Sequence, residues 1–284
     1  MSIGIFLLLT LLQFESAYGG EKRIAITIDD APMASSKLLI GTKRTIKIIE
    51  GLDTPAAIFV IGENIFSGNG KKRLKMYDDA GHMISNHTYS HYACSKVSEE
   101  KFIKDIEKAH ELISDYKNFK PLFRYPYLDE CDKAEKKTKV RKFLKEKDYI
   151  NGYVTIVTYD YYINKLLQNA VRQGKKINYL KLKKTYLNIM LGYVEFYYKI
   201  YFDKLGYAIP HSLLLHENDL NALYLKDLIN FLRDNGWEII SPNDVYKDEK
   251  VMNDVNIVRQ NLPNIKTLRP HYIDKIFKEV IDKG

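Results

Sequence analysis

The sequence predicts an α/β fold with a largely parallel sheet or barrel, and three observations carry that prediction. Short apolar, β-branched runs alternate with helical patterns along the whole chain. Hydrophobic residues make up 45% and charged residues 28% of 284 positions, values ordinary for a folded globular protein. They exclude disordered, collagen-like and multi-span membrane classes. The unusual polar residues, finally, come directly after the apolar runs, and an α/β barrel gathers its strand ends on one face.

Taken in order, Ile3 to Leu12 is apolar apart from Gly4 and Thr10. It falls short of the roughly 20 residues of a membrane-spanning helix. Small residues follow at Ser16, Ala17 and Gly19, so residues 1–19 read as a secretory signal peptide cut after Gly19. No Lys or Arg precedes the run, which keeps open a short membrane anchor or a buried amino-terminal strand. The signal-peptide reading places the protein outside the cytoplasm, secreted or periplasmic, where Cys94 and Cys131 could pair.

Arg23–Ile28 reads as the first strand and leads into Asp29-Asp30. A helical pattern near Thr42–Glu50, a strand at Ala56–Ile61 and a helix at Lys71–Ala80 come next, the last stopped by Gly81. His82–Ser85 is a short strand. Ser98 is placed to cap a helix with Phe102, Ile106, Ala109, Ile113 and Tyr116 at 3–4 spacing. Pro121 stops that region, Leu122–Phe123 lead into a polar loop, and a lysine-rich helix covers Lys133–Lys147. Tyr153–Thr158 is β-branched and reads as a strand, as do Ser212–Leu215 and Trp237–Ile240, with a helix over Leu220–Asp234 between the last two. No Pro/Gly/Ser-rich linker divides residues 20–246, which are expected to form one domain. Tyr161–Leu205 is longer than one crossover needs and reads as a helical insertion; residues 247–284 read as a carboxyl-terminal extension.

Five polar clusters follow the strands: Asp29-Asp30, Asn86 to His91, Arg124-Tyr125-Pro126-Tyr127, Asp160 and His216. On a barrel they converge. His87 and His91 are spaced i, i+4, so a helical turn or a tight loop could present both imidazoles to one ion. Thr88 stands where the helical zinc-protease motif needs Glu, which disfavours that class. Asp29 or Asp30 is available as a third ligand, and two imidazoles with one carboxylate would leave a position for water. The blander reading of a lone His-x-x-x-His pair is two loop histidines bonded to backbone. His82, His110 and His211 read as packed or surface histidines.

Thr27-Ile28-Asp29-Asp30, Asn86-His87-Thr88-Tyr89-Ser90-His91, Arg124-Tyr125-Pro126-Tyr127 and Leu213-Leu214-Leu215-His216 stand in the order of the motifs of polysaccharide deacetylases. The chain resembles this NodB-homology, carbohydrate esterase family 4 group over roughly Arg23 to Tyr246. The resemblance implies a distorted (β/α) barrel of NodB type, with the helical insertion between the fourth and fifth motifs. It implies Asp29 as general base and Asp30, His87 and His91 as ligands of one divalent ion, zinc by the family's habit. Arg124 would orient the base, the Tyr127 backbone N–H would contact the oxyanion, and His216 would be the general acid, tuned by Asp160. Leu213 and Leu215 would line the pocket for the acetyl methyl. The implied reaction removes N-acetyl groups from a peptidoglycan- or chitin-type glycan; an O-acetyl esterase and a catalytically silent glycan-binding relative are the alternatives. If the second and third motif loops meet at the barrel mouth, Cys94 and Cys131 are carried to the same rim. Ile28, Ala31 and Leu128 replace the family's usual Phe, Gly and Gly, and Asp160-Tyr161-Tyr162 matches the fourth motif only loosely.

The net charge is +8, from 44 Lys and Arg against 36 Asp and Glu. Between Asp160 and Glu195 there is no acidic residue, while Lys165, Arg172, Lys175, Lys176, Lys181, Lys183 and Lys184 are basic. A solvated helix face is the ordinary reading of the 165–184 stretch; the sharper one is a patch drawn to anionic cell-wall polymer or membrane surface. No recognised nucleic-acid motif accompanies it, so no nucleic-acid partner is expected.

Overall fold

The computed structural model describes residues 20–262 and 271–281, so the signal-peptide expectation for residues 1–19 lies outside the described residues. Seven strands form one sheet, and every pairing within it is parallel. They are β1 Arg23–Ala31, β2 Ala57–Val60, β3 Met83–Asn86, β4 Phe119–Phe123, β5 Ile150–Asn151, β6 His211–His216 and β7 Glu238–Ile240. The order is β5-β4-β3-β2-β1-β6, with β7 also on β1. One edge of β1 is shared: Arg23–Ala25 pair with β7 and Thr27–Ala31 with β2, while Ile24–Asp29 pair with β6 on the other edge.

The curled sheet is closed by a single β-bridge flanked by side-chain hydrogen bonds. Ile156 bridges Leu213 of β6, with Ile156 N–H donating to Ser212 O at 3.0 Å and Leu214 N–H to Ile156 O at 3.0 Å. The strand expected over Tyr153–Thr158 is therefore corrected: the preceding strand is the two-residue β5, and 153–158 is irregular chain with one bridge. Its β-branched residues suit an extended backbone, but the Thr155 and Thr158 hydroxyls point into β6, each to a backbone carbonyl, rather than along a ladder. The result is a distorted barrel, laddered on one side and joined on the other by one β-bridge and side-chain bonds.

The helices are α1 Gly41–Gly51, α2 Gly70–Asp79, α3 Glu99–Ile113, α4 Ala134–Glu146, α5 Asp160–Arg172, α6 Tyr179–Leu205, α7 Asp219–Asp234, α8 Pro242–Tyr246, α9 Glu249–Gln260 and α10 His271–Val280. Ser98 caps α3 as its position implies, its hydroxyl accepting from Lys101 N–H at 3.3 Å. Tyr116 falls just beyond that helix. The expected insertion is α5 and α6, and α5 starts at Asp160 itself. The tyrosines of α6 are not surface decoration: Tyr186, Tyr197, Tyr198 and Tyr201 are buried with Leu182, Met190 and Val194. Met252, Val255, Val258, Ile273, Phe277 and Val280 of the carboxyl-terminal helices join the same core. Insertion and extension thus pack on the sheet as part of one hydrophobic body. No helix among the described residues is long and apolar enough to cross a membrane.

Side-chain alternation on β1 sets up the site. Ile24, Ile26 and Ile28 point outward into the core, and Thr27 and Asp29 point into the barrel. Across the β1–β6 register, Thr27 pairs with Leu214 and Asp29 with His216, whereas Ile26 and Ile28 pair with Leu213 and Leu215. Register partners on neighbouring parallel strands share a face.

Candidate active site

Asp29 and Asp30 both reach the barrel mouth, although neighbours on a strand point opposite ways. The pairing register between β1 and β2 is irregular between Ile28 and Ala31, and Asp30 has φ 69°. A local break of this kind re-aims a side chain. Asp30 is one of six non-glycine residues at this end of the barrel with positive φ; the others are Thr88, His91, Tyr127, Leu128 and Cys131. Backbone held in so sparsely populated a region needs a surrounding structure that enforces it, and such residues cluster at functional sites.

Asp30, His87 and His91 come together as expected. Their ligand atoms lie within 4.8 Å of one another. Asp30 Oδ1 is buried and accepts no hydrogen bond among the described residues, while Nε2 of His91 and of His87 stand 3.4 and 3.6 Å away. The His87 ring is held by a 2.8 Å contact from Nδ1 to Arg124 O. A backbone carbonyl can only accept, so that contact places the proton on Nδ1 and leaves the Nε2 lone pair directed at the aspartates. Burial, with the neighbouring His87 adding to it, pushes His91 down to about 4, so its imidazole is neutral near pH 7. Two imidazoles whose Nε2 atoms turn to a carboxylate oxygen with no donor of its own fit a divalent cation. The i, i+4 pair is carried by a loop, not a helix.

Asp29 takes a different partner. Arg124 Nη1 donates to Asp29 Oδ1 at 2.6 Å and to Thr27 Oγ1 at 2.8 Å, Nε donates to Gly152 O at 3.0 Å, and Nη2 to Tyr246 OH at 3.1 Å. The guanidinium also lies 3.8 Å over the Phe59 ring. It is fully buried, so this set of acceptors locks it, and Asp29 with it, in one geometry.

On the adjacent strand β6, His216 Nδ1 meets Asp160 Oδ1 at 2.8 Å. Asp160 is completely buried and accepts further bonds from His216 N–H at 2.9 Å, Asn218 Nδ2 at 2.8 Å and Asn221 Nδ2 at 2.7 Å. Burial pulls His216 down, but Asp160, by charge and hydrogen bond, more than offsets it, with Asp30 and Asp29 adding; the imidazole is pushed up to about 10. Asp160, despite its loose fourth motif, is thus the carboxylate in contact with His216.

Tyr127 sits in the turn Pro126–Leu128 at φ 59°, its ring 4.6 Å from the His91 ring and largely exposed. Cys94 and Cys131 form a disulfide with Cα atoms 4.7 Å apart. Beside it, Ser95 N–H and Oγ both donate to Asp129 Oδ2, so the loops after His91 and after Tyr127 are tied twice.

The placing of the acyl-pocket leucines is corrected. Leu213 and Leu215 lie fully buried on the outward face with Ile26 and Ile28, away from the site. Leu214, two residues before His216, shares the barrel face with Thr27, Asp29 and His216. Strand alternation alone could have found it. Sequence reasoning also missed Tyr246, whose phenol accepts from Arg124 and donates to Tyr153 O at 3.0 Å, and Asn218 and Asn221, which hold Asp160. No local pattern marks those residues. His82, His110 and His211 stay outside the site: His82 accepts from Ala56 N–H, His110 meets Tyr149 OH and His211 meets Thr155 Oγ1.

Residues 17–145 match the family model described as polysaccharide deacetylase, a span that contains Asp29, Asp30, His87, His91 and Arg124. Over that span the chain is similar to the polysaccharide deacetylase family. Over 108 residues the chain is 32% identical to a peptidoglycan-N-acetylglucosamine deacetylase of Bacillus cereus, covering 37% of this chain and 36% of that one. It therefore spans about a third of the length of the curated relative it matches. Among solved structures, a peptidoglycan deacetylase of Bacillus subtilis is similar at TM-score 0.54 and 18% identity, over 84% of this chain and 97% of the other. A pseudoenzyme of the same carbohydrate esterase family from Bacillus anthracis gives TM-score 0.55 and 17% identity, over 81% of this chain and 66% of that one. Both likenesses show the fold, the distorted NodB-type barrel.

Proposed function

We propose that this protein is a metal-dependent hydrolase that removes N-acetyl groups from an N-acetylated glycan of peptidoglycan or chitin type. One observation carries the reading: the ligand trio Asp30, His87 and His91 and the pair Asp29 and His216 are complete and gather at one barrel mouth. A divalent ion held by Asp30, His87 and His91, zinc by the nature of the donors, would lower the pKa of a water and polarise the substrate carbonyl. Asp29, held by Arg124 through one oxygen, takes up the proton of the attacking water with the other. His216, kept as imidazolium by Asp160, gives a proton to the departing amine, which needs one to leave. The Tyr127 peptide N–H serves as oxyanion contact, and Leu214 packs against the acetyl methyl.

An exported setting suits this reading. The disulfide is of a kind that persists in oxidising compartments, and the 1–19 segment supplies the address. Arg172, Lys175, Lys181 and Lys184 are exposed where α5 turns into α6, which favours association with an anionic wall or membrane surface.

The test is metal analysis of purified protein followed by acetate release from N-acetylglucosamine oligomers, peptidoglycan and acetylated xylan. About one ion per chain, with acetate from the amide substrates, is expected. Release from xylan alone would make it an O-acetyl esterase, and a metal-loaded protein inert on all three would make it a glycan-binding relative.

A further inference from the structure

We propose that Arg73 and Glu217 are positioning residues that hold the Asp30 turn against the strand end bearing His216. The proposal rests on the metal-site reading above. Glu217 directly follows His216, and its N–H donates to Asp29 O at 2.9 Å, continuing the β1–β6 pairing one step past the strand. Its side chain is completely buried, with Oε2 accepting from Met33 N–H at 2.5 Å and Oε1 from Thr45 Oγ1 at 2.8 Å. Arg73, equally buried, brings Nη1 to 3.8 Å from Glu217 Oε1 and donates to Met33 O at 2.5 Å and Pro32 O at 3.3 Å. Both backbone groups of Met33 are therefore clamped by this pair, three residues beyond Asp30.

A second buried pair repeats the design one residue on. Arg44 Nε donates to Asp219 Oδ1 at 2.7 Å, and its Nη1 donates to Ala34 O at 2.7 Å. The acids come from the chain just after His216, and the backbone they hold comes just after Asp30. Two charges removed from water rarely serve stability better than apolar side chains of similar size. Buried arginines and acids that direct their hydrogen bonds at one short turn point instead to geometry. The turn needs it, because Asp30 at φ 69° stays in that conformation only where its neighbours enforce it. The guanidinium has little freedom: a Cβ on Gly41 would lie 2.6 Å from Arg73 Nη1, so the start of α1 presses on it. Groups behind metal ligands typically change metal affinity by about 10- to 100-fold when removed.

The test titrates zinc into metal-free full-length protein by calorimetry, for wild type, Arg73→Lys and Glu217→Gln, with Arg233→Lys as a control at an exposed ion pair with Asp53. Arg73→Lys keeps the charge and loses the planar fork; Glu217→Gln keeps the shape and loses the charge. The expected result is a zinc Kd raised about threefold to tenfold in both, an unchanged control, and a kcat on N-acetylated oligomer that falls while KM stays within twofold. Zinc Kd changed less than threefold in both variants overturns the proposal. Should Arg73→Lys fail to fold, the isosteric Glu217→Gln decides by the same threshold. Wild type that binds no zinc would sink the metal reading of the site and this proposal with it, whereas wild type that binds zinc with both variants unaffected sinks only this one.

Discussion

Asp29 and His216 are register partners on adjacent parallel strands, β1 and β6, and so share one face of the barrel. Each is held by its own buried counter-charge, Arg124 for the aspartate and Asp160 for the histidine. The two groups proposed to transfer protons thus have counter-charges of opposite sign behind them: a cation behind Asp29 and an anion behind His216.

The pH dependence follows from that arrangement. Activity is expected to be bell-shaped, with the alkaline limb set by His216. Asp160 is the main group that raises the histidine, so Asp160→Asn leaves only Asp30 and Asp29 against the downward pull of burial and moves the alkaline limb to lower pH by about a unit or more. A pH–kcat/KM profile of Asp160→Asn whose alkaline limb coincides with wild type would assign the acid elsewhere.

The same pair contributes to folding in the metal-free protein. Its folded pKa, about 10, lies above the unfolded value near 6.5, so the contribution is fully present below about pH 6.5 and is lost as pH rises through about 10. Urea unfolding in the presence of chelator at pH 6 and pH 10 should show wild type losing more stability than His216→Asn over that interval. Equal losses would mean that the pair is not charged in the folded state.

Metal binding and turnover should separate. His91→Ala removes one of three ligands and is expected to lose zinc, whereas Asp29→Asn should keep zinc and lose at least about 100-fold in kcat, the scale of general-base catalysis. Two variants with equal zinc content would contradict the division of roles between the adjacent aspartates.

Tyr246→Phe deletes the acceptor for Arg124 Nη2 in a buried setting. An unpaired buried donor on a charged group costs about 1–3 kcal/mol. The expected outcome is a lowered unfolding free energy together with reduced kcat, read by denaturant titration and steady-state kinetics. Unchanged values of both would show that Phe59, Gly152 and Asp29 suffice to hold the guanidinium.

The disulfide closes a segment with a sequence separation of 37 and ties the loops carrying His91 and Tyr127. Such a loop closure stabilises by about 3–4 kcal/mol in the chain-entropy model. Thiol titration of the unfolded, unreduced protein should find no free thiol, and reduction should lower both the unfolding midpoint and zinc affinity. Two thiols per chain would remove the bridge.

Much of this protein was legible in its sequence because the signals are local. The Ser98 cap, the α3 periodicity and the apolar runs of β1, β2 and β3 depend on neighbours in the chain, and the motifs name Asp30, His87, His91, Arg124 and His216 by residue type and order. Leu214 was equally legible, since a period of two separates it from Leu213 and Leu215 and places it with His216. What only the tertiary structure decided is how distant segments meet. The irregular register at Ile28–Ala31 lets both aspartates reach the mouth, and one bridge at Ile156 replaces the strand expected over 153–158. Tyr246 lies behind Arg124, and Arg73 meets Glu217 beneath the Asp30 turn. Propensity and spacing carry no information about such contacts, because a buried arginine or tyrosine is satisfied by whichever partner the packed chain brings to it.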